Sequence, residues 1–140
     1  MSASPASFRL EMDAPASDVD ELGHVSNVAY VRWIQEVAIA ASAACGYDFA
    51  AYHALGAIFV VRRHEIEYLA PAFGGDRIAL VTWVESYRGV STVRRTEISR
   101  VADGKALVSA ETRWILVGTA DGRPKRITPE MARRFGVGPD

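Results

Sequence analysis

The chain has 140 residues, 49% hydrophobic and 24% charged, the proportions of an ordinary globular domain rather than of a disordered or fibrous one. Sixteen basic residues stand against seventeen acidic ones, so the basic excess of a protein that tracks a nucleic-acid backbone is missing. One cysteine, Cys45, excludes an internal disulfide or a cysteine-based metal cluster within one chain, and His24, His53 and His64 are too scattered for a zinc motif.

The length suits one domain over residues 1–140, with no internal repeat. No apolar run is long enough to span a bilayer, and the first residues lack the basic-then-apolar order of a signal peptide. A cytoplasmic protein with no membrane partner is therefore expected.

Phe8, Leu10 and Met12 alternate with polar residues and predict a short strand. Ala16 to Ser26 is polar, contains Gly23 and three acids, and reads as a loop. Val28, Val31, Ile34, Ala38, Ala41 and Cys45 then recur at spacings of three and four, which predicts a helix from Asn27 to Cys45. Ser26 or Asn27 can cap its start and Gly46 can close its end. Trp33, Val37, Ile39 and Ala40 make it apolar nearly all round, so burial on most sides is expected.

Asp48 to Leu55 has room for a further turn or two of helix. Four long stretches rich in Val, Ile, Thr, Trp and Tyr follow, at 57–69, 77–87, 90–101 and 105–117. Asp103-Gly104 is a strong signal for a two-residue hairpin and Arg88-Gly89 a weaker one. The four strands are expected to form an antiparallel meander. Pro129 to Phe135 closes the chain as a short helix. One long apolar helix beside such a sheet predicts an α+β fold, with the sheet wrapped around the helix.

Asp18-Val-Asp20-Glu-Leu-Gly23-His24-Val-Ser-Asn27-Val-Ala-Tyr30-Val-Arg-Trp33 opens the helix. This segment resembles the signature of the hotdog acyl-CoA thioesterases of the 4-hydroxybenzoyl-CoA thioesterase family. Phe59 to Ala72, with Arg62, Ile66, Tyr68 and Pro71, looks like that family's second strand and following turn, and the match covers roughly Ser7 to Phe135. The resemblance implies a hotdog fold, an antiparallel five-stranded sheet wrapped around one long central helix. It also implies a homodimer, often paired into a tetramer, with active sites between subunits.

Thioester hydrolysis needs an activated attacking oxygen and a partner for the carbonyl oxygen as charge develops on it. A carboxylate before a helix supplies the first and the free N–H groups of the helix start supply the second. Asp20 lies seven positions before Asn27, with Gly23 between them, a loop long enough to bring both to one carbonyl carbon. By resemblance, Asp20 matches the catalytic aspartate, as nucleophile or general base, and the Asn27 amide matches the group that polarises the thioester. His24 matches a histidine of the plant acyl-carrier-protein thioesterases, although Leu22 replaces the asparagine those enzymes place before it.

Gly23 and Tyr30 are candidate substrate-binding residues. Arg88 and Arg126 are candidates for the phosphates of coenzyme A. No metal or cofactor is expected. Asp18 is assigned a structural role, Arg32 and Glu36 a surface ion pair, and His64 a polar-face position. The adjacent arginines at 62–63 and at 94–95 should each send one member outward. Two further readings stay open on this fold: a non-catalytic acyl-CoA binder and a hydratase or dehydratase.

Overall fold

The chain passes from strand to helix and back to strand where the hydrophobic period changes. The computed structural model describes residues 6–137. In chain order it contains β1 (Phe8–Asp13), a 3-10 turn at Ala16–Asp18, α1 (Asn27–Ala44), α2 (Phe49–Leu55), β2 (Ala57–Tyr68), β3 (Arg77–Arg88), β4 (Ser91–Arg100), β5 (Ala106–Gly118) and α3 (Pro129–Phe135). Caps fix the helix ends where the sequence places them. The Ser26 hydroxyl accepts from the Ala29 N–H, Asp48 from Ala51 and Thr128 from Met131. Gly46, just past α1, has φ +101°, a left-handed value that favours glycine.

The five strands form one antiparallel sheet in the order β1-β3-β4-β5-β2. Only β3, β4 and β5 form a meander, so the expectation that β2 also pairs with β3 is corrected. β2 pairs with β5 at the opposite edge, and residues 69–76 carry the chain across the end of the sheet. The reason is that β1 and β4 hold both edges of β3, which leaves β2 the free edge of β5. One-residue irregularities at Arg62 in β2 and at Glu85 in β3 interrupt the pairing register. The bulge at Arg62 also leaves both Arg62 and Arg63 exposed, against the expected in–out alternation.

The turns exchange roles as well. Arg88 and Ser91 are register partners, so Gly89-Val90 is the two-residue hairpin, with Gly89 at φ +60°. At the other hairpin the Arg100 N–H donates to the Lys105 carbonyl, which makes a four-residue loop. Asp103 is occupied there, accepting from the Arg100 guanidinium at 2.9 Å and from the Lys105 N–H at 3.0 Å.

β4 alternates cleanly: Thr92, Arg94, Thr96 and Ile98 are buried on the face toward α1. Trp33, Ile34 and Val37 of α1, each at most 2% exposed, pack into one cluster with Ile78, Leu80, Ile98 and Val108. Truncating Trp33 to alanine would cost about 3–5 kcal/mol. A second cluster joins Val84 and Leu116 to Ile127, Met131 and Phe135, so α3 closes the far end. Burial of α1 is less complete than expected, since Val28 is 75% exposed and Ile39 64%. No helix among the described residues is long and apolar enough to cross a membrane. A five-stranded antiparallel sheet on one long helix is the hotdog arrangement expected.

Candidate active site

Asp18 fastens the loop before α1 to the helix itself. It is buried, accepts from the Arg32 guanidinium with both oxygens, and takes the Trp33 indole N–H on Oδ2 at 3.1 Å. The structural role assigned to Asp18 is thus a clamp between loop and helix. Arg32 also reaches Glu36 at 3.1 Å, the i,i+4 pair expected.

From that clamp the chain folds back on itself. Val19 and Val25 bridge in antiparallel fashion, the Asp20 N–H donates to the His24 carbonyl at 2.8 Å, and the Gly23 N–H donates to the Asp20 carbonyl at 3.0 Å. Gly23 sits at φ +82°, which a side chain there would strain. Asp20 Oδ1 accepts from the Leu22 N–H at 2.9 Å and from the His24 N–H at 3.2 Å. Its other oxygen, Oδ2, has no hydrogen-bond partner among the described residues. One carboxylate oxygen therefore holds the turn while the other stays available.

The helix start lies beside this turn. The Ser26 N–H donates to the Asp18 carbonyl at 2.8 Å and Ser26 caps the Ala29 N–H. The Asn27 N–H, first in the helix, has no acceptor among the described residues, one of the orphan donors every helix leaves at this end. Its partial positive charge suits a developing anion.

The opposite wall comes from the crossover after β2. Tyr68, Leu69, Ala70 and Pro71 line a cavity of about 290 Å³ together with Asp20, His24, Val25, Asn27 and Tyr30. The Tyr30 hydroxyl accepts from the Ala72 N–H at 3.0 Å, and burial pushes its phenol up from the ordinary value. The Val25 N–H donates to the Ala72 carbonyl at 2.8 Å, and the His24 ring stands edge-on to Phe73 at 5.1 Å. Arg100 secures the crossover from outside, donating to the Pro71 carbonyl at 2.7 Å and to Asp76 at 3.1 Å.

Asp20, His24, Asn27 and Tyr30 are thus brought to one cavity, and Gly23 shapes its loop without lining it. Arg88 and Arg126 are not brought there. Arg88 ends β3, eleven residues along the strand from Arg77 at the cavity end, roughly 35 Å of extended chain. Residue 126 lies beside the same distant turn, because the Ile127 N–H donates to the Gly89 carbonyl. The wall at Tyr68–Pro71 was not assigned a site role from sequence, although the stretch that carries it was legible as part of the resemblance.

His64 corrects its reading as a polar-face residue. It points under α1, with Nδ1 2.9 Å from the Thr112 hydroxyl and Nε2 3.4 Å from the Gln35 amide, and burial pulls its imidazole below the ordinary value. Among the described residues, no group of three or more His, Cys, Asp or Glu is placed to hold a metal ion.

The sequence model of the thioesterase-like superfamily matches residues 14–135. None of the curated proteins matches the sequence significantly. Solved structures do match the fold. A candidate oleoyl thioesterase from Lactobacillus plantarum aligns with a TM-score of 0.90 at 15% identity, over 96% of this chain but 52% of that one, so this chain spans about half its length. A 1,4-dihydroxy-2-naphthoyl-CoA thioesterase from Synechocystis aligns at 0.84 and 16% identity, over 93% of this chain and 96% of that one. A Staphylococcus aureus protein of undefined function, solved in complex with CoA, aligns at 0.86 and 12% identity over 93% and 82%.

Proposed function

This chain belongs to the thioesterase-like superfamily, a family of thioester hydrolases, and we propose that it hydrolyses an acyl-CoA to the free acid and coenzyme A. One observation carries the reading: a carboxylate with one free oxygen, Asp20, shares a cavity with the open amide end of α1 at Asn27. With the thioester carbonyl oxygen on the Asn27 N–H, the carbonyl carbon is polarised where the helix start is most positive. Asp20 then takes a proton from a water that attacks this carbon, or attacks it directly and forms an anhydride that water opens. In both routes one water is consumed, the carbon–sulfur bond breaks, and the thiol leaves as coenzyme A.

His24 and Gly23 hold the Asp20 turn in shape, and Tyr30 fixes the crossover wall against which the acyl group would lie. Coenzyme A as the carrier is supported by the neighbouring folds that act on, or hold, CoA compounds. Arg88 and Arg126 reach a bound pantetheine phosphate only from a second copy of the chain. A homodimer supplies that copy, and higher pairing to a tetramer is compatible with it. Its support is the outer edge of β2, twelve residues long, together with exposed Val60, Ile39 and Val28.

Thiol release from short, medium and long aliphatic acyl-CoAs and from aromatic ones, with wild type and Asp20→Asn side by side, tests the proposal. Release by wild type with loss in the variant is expected. An unchanged rate in Asp20→Asn removes Asp20 from the mechanism. Hydration of an enoyl-CoA without thiol release moves the reading to a hydratase. Gel filtration as a monomer removes the two-subunit site.

A further inference from the structure

A second cavity, about 390 Å³, opens at the other end of α1 and shares no lining residue with the first. Its walls are the C-terminal half of α1 from Ala38 to Ala43, aromatic residues of α2, and the inner face of the sheet, including Trp114. Trp33, Ile34 and Val37, all fully buried, lie on α1 between the two. In volume the cavity falls within the range of small-molecule sites, roughly 300–1,000 Å³.

The one charged side chain buried along this apolar wall is Arg94, 7% exposed. Its Nη1 donates to the Thr82 hydroxyl at 3.2 Å, and Thr82 gives its own proton to the Arg95 carbonyl at 2.7 Å. That partner is neutral, and among the described residues no carboxylate pairs with Arg94. Arg95, its neighbour in sequence, points outward and pairs with Glu85 and Glu111. The titratable groups facing Arg94, Cys45 and Tyr52, are both pushed up by burial, so neither supplies a negative charge at neutral pH. Burial lowers the guanidinium itself to about 10, which leaves it charged there. The indole N–H of Trp114, on the same cavity, is buried and has no acceptor among the described residues.

A buried, charged guanidinium without a counter-ion, at the wall of an apolar cavity, is matched by a ligand with one anionic head and an apolar body. We propose that this cavity is a second site, separate from the Asp20 cavity, that binds a free carboxylic acid with its carboxylate on Arg94 and its hydrocarbon among Ile39, Phe49, Tyr52 and Phe59. The inference does not depend on the thioesterase reading.

Calorimetric titration of the full chain with octanoate and with 1-octanol, at neutral pH and matched ionic strength, tests it. Octanoate should bind roughly tenfold or more tightly than the alcohol, the scale of a hydrogen bond to a charged group. In Arg94→Met the preference should vanish while the alcohol still binds. In Ala43→Trp, which fills the exposed mouth, both ligands should be lost. Absence of binding, equal affinity for acid and alcohol in wild type, or a preference that survives Arg94→Met overturns the proposal. Should Arg94→Met fail to fold, the wild-type comparison and Ala43→Trp still decide the matter.

Discussion

The two ends of α1 make opposite uses of the same helix. Its start is exposed at Asn27 and Val28, carries an unpaired amide at Asn27, and meets a polar loop in which Asp20 keeps one carboxylate oxygen free. Its last turns are walled by tyrosine, phenylalanine and tryptophan, and the charge there is buried in the sheet as Arg94. At the first end the polar groups stay near water and can follow a reaction. At the second, a cation is held where water is scarce, which favours binding over turnover. The lesson is that burial, more than residue type, separates a place for chemistry from a place for recognition.

The sharpest way to break that contrast is Asp20→Asn. The amide oxygen can still accept from the Leu22 and His24 N–H groups, so the turn should survive with the melting temperature nearly unchanged. Turnover of the best acyl-CoA should fall by about 10²–10⁴-fold. Asp18→Ala should do the reverse. It orphans the buried Trp33 N–H and frees the loop, costing about 1–3 kcal/mol in urea unfolding. If both variants lost activity without losing stability, the division between a structural and a reactive aspartate would be wrong.

Arg94→Met probes the other end. Replacing an uncompensated buried cation by an apolar chain of similar length should leave the fold as stable or raise it by about 1–2 kcal/mol, read from the same unfolding curves. Acyl-CoA turnover should be untouched. The smallest effect is electrostatic and lies between the two ends. Because burial depresses the His64 imidazole, the unfolded chain takes up that proton first as pH falls. Stability should therefore decline as pH drops below the unfolded value of about 6.5 and level off below the folded one. His64→Gln should flatten that part of the stability-against-pH curve.

Local signals made most of the elements readable in advance. The spacing of apolar residues located α1, the cap at Ser26 set its start, and Pro129 to Phe135 was found with its bounds. The Asp20–Asn27 spacing was legible because both residues are fixed relative to one helix start. What escaped was non-local. Pairing of β2 with β5 rather than β3 follows from β1 and β4 holding both edges of β3, which strand propensity does not encode. His64 reads as a polar-face residue because polar side chains usually are, and nothing local says that Arg94 is the inward member of its pair. Their inward direction follows from strand register, and one bulge, as at Arg62, is enough to shift it. Arg88 and Arg126 looked suitable by charge, yet strand length carries them to the far end of the sheet.

The crossover at 69–76 has a consequence for how the chain reaches this state. β3, β4 and β5 can zip together through short loops, but β2 must wait for β5 although it is made much earlier. The closing pair, Ala57 with Gly118, joins residues some sixty positions apart. Such distant closure slows folding. A nascent β2 therefore stays unpaired while the forty residues from Tyr68 to its partner Val108 are made, and its Ile-Phe-Val-Val run is open to capture by another chain before the sheet is complete.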